Sequence, residues 1–212
     1  MINNNSNRRD AILQLFAAGI GFSSLLSSCS SSKSSTVENV AADKKLLPFF
    51  IPPTPPLQPG PGGLDIKVLI KSSQTNSQFS CVEFAVAPKK MGPAPHYHKN
   101  LDELMYVLEG IGSVLIEDTL YEIPAGGWHL RPRGIEHTFF NATDKPFRAI
   151  DMYFNQNFED YLEEVFHKIT PEMRKNDKVN VDKRMAELHI QFGMVGFPEK
   201  RKPIIDKYRL IA

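Results

Sequence analysis

From Leu64 to Phe154 the chain alternates short runs rich in Val, Ile, Phe and Tyr with Gly, Pro and charged residues, the period-two pattern of half-buried strands. The runs predict strands over residues 66–71, 78–87, 94–98, 103–109, 112–116, 119–123, 128–131, 137–141 and 147–154. Glu117-Asp118 suits a tight hairpin, and Pro124-Ala125-Gly126-Gly127 and Pro132-Arg133-Gly134 suit sharper corners. Many short strands on short connections make the class all-β, a sandwich or a barrel. After Phe154 the period lengthens towards that of a helix. Phe158, Leu162, Val165 and Phe166 fall on one face and Glu159, Asp160, Glu163 and Glu164 on the other, behind a capping Asn157. Thr170-Pro171-Glu172 starts a second helical turn, and Val181, Met185, Leu188 and Phe192 form a further apolar stripe that stops at Gly193. Both stripes suit packing against the strands, and the basic tail of Lys200, Arg201, Lys202, Lys207 and Arg209 reads as a solvated end.

Ahead of the strands, Arg8 and Arg9 precede an apolar run from Ala11 to Leu26, which has the length of a signal-peptide core and is short for a bilayer span. Its end, Leu26-Ser27-Ser28-Cys29, resembles the lipobox of bacterial lipoprotein signals, which implies cleavage before Cys29 and lipid on its thiol. Asn7-Arg8-Arg9-Asp10-Ala11-Ile12-Leu13 resembles in part a twin-arginine signal, with Asn7 and Ala11 standing where Ser/Thr and Phe are usual. Residues 1–28 are therefore expected to be an export signal. The mature chain is expected in the bacterial cell envelope, facing the periplasm and held to the membrane through a lipid anchor. Ser30 to Ser35 and then Pro48, Pro52, Pro53, Pro55, Pro56, Pro59 and Pro61 oppose helix and interior strand. Residues 29–61 thus read as a Ser/Pro-rich tether, 62–154 as the strand domain and 155–212 as a helical extension.

Composition narrows the chemistry more than the fold. Lys+Arg 25 against Asp+Glu 24 gives a formal net charge of +1, which offers nucleic acid no electrostatic footprint. The two cysteines, Cys29 and Cys81, exclude a disulfide framework and a multi-thiolate zinc site, and Cys81 sits in a predicted strand as a small buried apolar residue. A metal here has to be held by His and carboxylate.

His96 and His98 lie two apart in an extended run, so both imidazoles leave the same face of one strand. Glu103 opens the next strand after the turn Lys99-Asn100-Leu101-Asp102, with Asp102 the alternative if the hairpin shifts by one residue. His137 arrives from far along the chain, behind the Pro132-Arg133-Gly134 corner. Three neutral nitrogens and one anionic oxygen suit a divalent first-row metal and leave coordination positions open. His129 matches no ligand position.

The stretch Gly92-Pro93-Ala94-Pro95-His96-Tyr97-His98, with Glu103 and Gly110, resembles the first motif of the cupin family, and Gly126, Pro132, Gly134, His137 and Asn141 resemble the second. Two departures stand: fewer residues than usual separate Gly92 from His96, and Gly127 occupies a position where many cupins carry Asp. The resemblance covers about residues 64–154. It implies a double-stranded β-helix, a jelly-roll-like conical barrel with a metal inside, held by His96, His98, Glu103 and His137. A single copy of each motif implies one site, and the family habit of pairing through sheets implies a homodimer. Within the family the chain is most similar to the small quercetin-dioxygenase-like cupins.

Strand alternation puts Phe139 and Asn141 on the face of His137, and Met105 and Val107 on that of Glu103. The ion is then expected to look into an apolar, partly aromatic cavity that suits a small-molecule substrate. Arg131 and Arg133 stand at the expected mouth, as attractors for an anionic group or as solvated side chains. Iron is the first expectation for the ion, and manganese, nickel, cobalt, zinc and copper fit the same ligands. Three activities share this ligand set. The first is an oxidoreductase of the dioxygenase kind, in which Glu103 is ligand first and catalytic base second. The others are a non-catalytic cupin that binds a metabolite or the metal, and an isomerase that uses the metal as a Lewis acid.

Overall fold

The computed structural model describes residues 45–211, so the expected export signal, Cys29 and the Ser-rich start of the tether lie outside the described residues. Ten strands build two five-stranded sheets: β1 (Leu64–Ile70), β2 (Phe79–Val86), β3 (His96–His98), β4 (Asp102–Glu109), β5 (Ile111–Ile116), β6 (Thr119–Pro124), β7 (Trp128–Arg131), β8 (His137–Phe140), β9 (Phe147–Phe154) and β10 (Met194–Gly196). One sheet runs β1-β2-β9-β4-β7 and the other β10-β3-β8-β5-β6, and every ladder between these strands is antiparallel. This is a double-stranded β-helix with a few helices at its C-terminal end, as the resemblance implied.

Side-chain alternation decides which face of each strand turns inward. In β4, Glu103, Met105 and Val107 are buried while Asp102, Leu104 and Tyr106 are half-buried; in β9, Phe147, Ala149, Asp151 and Tyr153 take the buried phase. The inward residues of both sheets, among them Val82, Phe84, Met105, Val107, Val114, Phe139 and Phe147, form one core. Full burial of such a side chain contributes about 1.5–3 kcal/mol relative to exposure. Phe147 packs edge-on to Phe84 with ring centroids 5.6 Å apart. The β4–β5 corner depends on Gly110, which has φ 75° and would place an added Cβ 2.6 Å from the Pro146 carbonyl oxygen.

The C-terminal part holds α1 (Phe158–Glu163), which runs on into a π-helical turn (Glu164–Lys168), then α2 (Pro171–Asn176), α3 (Lys178–Gln191) and α4 (Arg201–Tyr208). Thr170 caps α2 as expected, its Oγ1 accepting from Met173 N at 3.2 Å with Pro171 next in line. Val181, Leu188 and Phe192 bury the α3 stripe, and Gly193 follows it with φ 60°. Four expectations need correction. Asn157 precedes α1, but its side chain donates to Asp160 Oδ2 at 2.6 Å instead of accepting from the helix. Glu159, placed by periodicity on the solvated face, is buried because the Ser72 N–H and hydroxyl, far away in sequence, both donate to its Oε1. Past Gly193 the chain forms β10, a short edge strand on β3 that carries too few residues for a periodic signal. The basic tail is not simply solvated: α4 buries Ile204, and Leu210 joins it in a second small core with Met91, Leu115 and Phe140.

Residues 45–61 contain no helix or strand, and their last part touches the barrel, where Leu57 N donates to Glu83 Oε1 at 3.2 Å and Thr54 meets Lys67 Nζ. Among the described residues no helix is long and apolar enough to cross a membrane.

Candidate metal centre

The ladder between β3 and β8 sets His96 directly opposite His137, and the two-residue period of β3 brings His98 to the same face. Glu103, second residue of β4, comes from the facing sheet, where it lies between Arg131 of β7 and Tyr153 of β9. Each of the four offers one ligand atom, and all those atoms lie within 4.8 Å of one another, fully inside the barrel. Glu103 Oε2 is 2.9 Å from His137 Nε2, and Glu103 Oε1 is 3.4 Å from His98 Nε2. The structure thus brings together all four residues singled out from the sequence. Asp102 stays outside, its carboxylate accepting from the backbone and guanidinium of Arg133. His129 also stays outside, its ring 5.0 Å from that of Tyr121.

Hydrogen bonding shows what the cluster is made to hold. His96 Nδ1 is 2.8 Å from the Ala94 carbonyl and His137 Nδ1 is 2.9 Å from that of Ile135, so both Nδ1 atoms are donors and both Nε2 atoms carry lone pairs. His98 Nε2, His137 Nε2 and Glu103 Oε2 are buried with no hydrogen-bond partner. Buried polar atoms are nearly always satisfied, and convergent lone pairs of two imidazoles and a carboxylate are satisfied together by a divalent cation. The residues present therefore fit a metal ion.

Electrostatics favour the same state. Burial, and then the nearby His137 and His98, hold the His96 imidazole well below its ordinary pKa, which keeps it neutral and able to bind metal. Burial opposes charge on Glu103, but the Arg131 guanidinium beside it leads the opposing influences, and the carboxyl is held well below the usual range. His129 is drawn down to about 4 by burial, with Arg131 and His137 adding to the effect.

Arg131 is where the site departs most from the sequence reading. It is not at the mouth but fully buried, donating from Nη2 to Asp151 Oδ1 at 2.5 Å and lying 3.3 Å through Nε from Glu103 Oε2. Asp151 in turn accepts from the Tyr153 hydroxyl at 3.3 Å. Burial raises the Asp151 carboxyl above its ordinary value, with Arg131 pulling back and Glu103 adding to the rise, and burial likewise raises the Tyr153 hydroxyl. The signal for this network was Asp151 itself, a charged residue in the inward phase of the stripe Phe147, Ala149, Asp151 and Tyr153.

A cavity of about 690 Å³ opens beside the cluster, with His96, Glu103, Arg131 and Asp151 in its wall. Phe84 and Phe139 come from the strands, and Phe158, Tyr161, Leu162 and Met185 from the helices. Of the residues expected to face the ion, only Phe139 lines this space. Met105 and Val107 fill the core, and the Asn141 amide donates to the Val86, Ala87 and Lys145 carbonyls, tying a loop together. Gly92 keeps the lining tight despite its unusual spacing: a Cβ there would meet the ring and carbonyl of Phe139 at 2.7 Å.

Residues 82–153, which run from β2 to β9 and hold all four clustered side chains, match the family model described as Cupin domain. With the topology above, this supports the cupin superfamily. No curated protein matches the sequence. Solved structures similar to the chain include KdgF from Halomonas sp., with TM-score 0.41 and 18% identity over 46% of this chain and 84% of that one. A recombinant oxalate oxidase in complex with glycolate gives TM-score 0.39 and 24% identity over 46% of this chain and 54% of that one. A sugar phosphate isomerase from Silicibacter pomeroyi gives TM-score 0.40 and 24% identity over 44% of this chain and 60% of that one. The chain thus spans little more than half the length of the oxidase and the isomerase.

Proposed function

We propose that this barrel is a metal-dependent oxidoreductase of the dioxygenase kind that takes a small organic molecule into its cavity, with iron held by His96, His98, Glu103 and His137. The observation that carries this reading is a buried set of unpartnered ligand atoms beside a cavity walled largely by aromatic and aliphatic side chains. Iron in that position supplies a Lewis acid with open coordination sites and the redox range for dioxygen chemistry. The chain supplies the rest. The Ala94 and Ile135 carbonyls fix the tautomers of His96 and His137. Arg131 keeps Glu103 anionic, so Glu103 acts as a ligand first and accepts a substrate proton only as a second role. Phe139 and Phe158 exclude water from the bound molecule.

Oxygen uptake by the iron-loaded full chain, measured over a panel of flavonols, diketones, related chelating enolates and apolar carboxylic acids, tests this reading. Uptake with at least one of them, abolished by His96→Ala, is expected. No uptake with any redox metal contradicts it and favours a cupin that only binds. We further propose that the chain works as a homodimer, exported and lipid-anchored through Cys29. Cys29→Ala is then expected to shift it from the membrane to the soluble fraction, and unchanged membrane recovery contradicts the anchor.

A further inference from the structure

The described arginines divide into two groups. Arg131, Arg133, Arg148 and Arg184 each form ion pairs with carboxylates. Arg174, Arg201 and Arg209 form none among the described residues, and of these Arg174 and Arg201 line the cavity. Arg174 Nη2 donates to the Val165 carbonyl and Arg201 Nη1 to the Gly92 carbonyl, each at 2.8 Å. A neutral carbonyl orients a guanidinium but leaves its charge uncompensated and its other N–H groups free. Arg201 is half-buried, and burial, with no carboxylate to offset it, pulls its pKa below the ordinary value.

The same imbalance holds for the whole lining. Among the described residues its only carboxylates are Glu103 and Asp151, and both are already engaged by Arg131. Arg174 and Arg201 are therefore in excess, and a divalent cation at the cluster makes the cavity more positive still. An unpaired, partly desolvated cation on an apolar wall is a costly arrangement that an entering anion relieves.

We propose that the ligand of this cavity is an apolar carboxylic acid, an aromatic or aliphatic body with one carboxylate, and that Arg201 is the residue that recognises the carboxylate, with Arg174 assisting. The inference deepens the reading of the cavity as a substrate site and rests on it. The planar fork of a guanidinium matches a carboxylate, and a charge-assisted hydrogen bond at a half-buried position outweighs one at an exposed position, which ranks Arg201 above the exposed Arg174. The apolar walls take the body.

The test is calorimetric titration of the full chain with phenylpropionate and with its neutral alcohol analogue, phenylpropanol, each with metal-loaded and metal-free protein. The acid is expected to bind roughly tenfold or more tightly than the alcohol in both forms. Arg201→Gln is expected to remove most of that difference by weakening the acid alone, Arg201→Lys to restore part of it, and Arg174→Gln to have a smaller effect of the same kind. Damage to the fold would weaken acid and alcohol equally, so the ratio separates charge recognition from packing. The inference is overturned if acid and alcohol bind alike, if the acid does not bind, or if its preference survives Arg201→Gln. It is also overturned if acid binding needs the metal and ignores Arg201, since the metal would then be the anion site. Arg201-dependent acid binding by a chain that takes up no metal would uphold the inference while removing the metal-based activity.

Discussion

On the strand-built side of the cavity the cation is closed by its own partners: Arg131 pairs with Asp151 and with Glu103, which holds Glu103 in place among the ligand atoms. On the helix-built side Arg174 and Arg201 are held by backbone carbonyls, and none of the described carboxylates pairs with them. The two arrangements serve different ends. A closed set keeps its geometry whatever enters, which suits ligands that must meet one ion at fixed distances. An open cation draws its stabilisation from the incoming molecule, which suits recognition.

Arg131 is the residue on which the strand side depends most. Arg131→Met leaves Asp151 and Glu103 buried without their cation, and breaking a buried ion pair from one side is expected to cost about 3–5 kcal/mol. Urea unfolding of the metal-free chain measures it, and a change under about 1 kcal/mol would mean that the set is not closed in solution. A somewhat smaller loss is expected on the helix side. Leu188→Ala in α3, where the side chain is buried, should cost about 2–5 kcal/mol through the cavity it leaves, yet retain the metal. Metal loss in that variant would show that the helices help to shape the strand-side site.

The smallest effect expected is that of pH on the metal-free chain. His96 has a depressed folded pKa, so its contribution to stability is complete above the unfolded value of about 6.5 and fades as pH falls towards the folded one. Glu103, also depressed, acts in the same direction at lower pH. The melting temperature is therefore expected to fall between about pH 7.5 and about pH 5.5, and His96→Gln to flatten the decline. A melting temperature that rises over this interval contradicts a buried neutral His96.

The strand side was largely legible because its chemistry is written in local spacing. His96 and His98 share a face by the period of two, and corner residues such as Gly110 and Gly134 carry the positive φ that the turns need. The helix side was not, because its decisive contacts join distant residues. Ser72 buries Glu159, and Arg201 reaches back to Gly92, neither of which periodicity reveals. Three-residue β10 exists because β3 offers it an edge. Arg131 lies between these cases. Its burial depends on Asp151, whose place in the inward phase of β9 was visible, but the pairing of β4 with both β7 and β9 that unites them was not.

Metal analysis of the full chain purified without chelator decides whether the four clustered side chains hold an ion. About one divalent ion per chain is expected, with loss in His96→Ala and in His137→Ala and retention in His129→Ala. A wild-type chain free of metal, or equal loss from all three variants, contradicts a metal centre formed by these four residues.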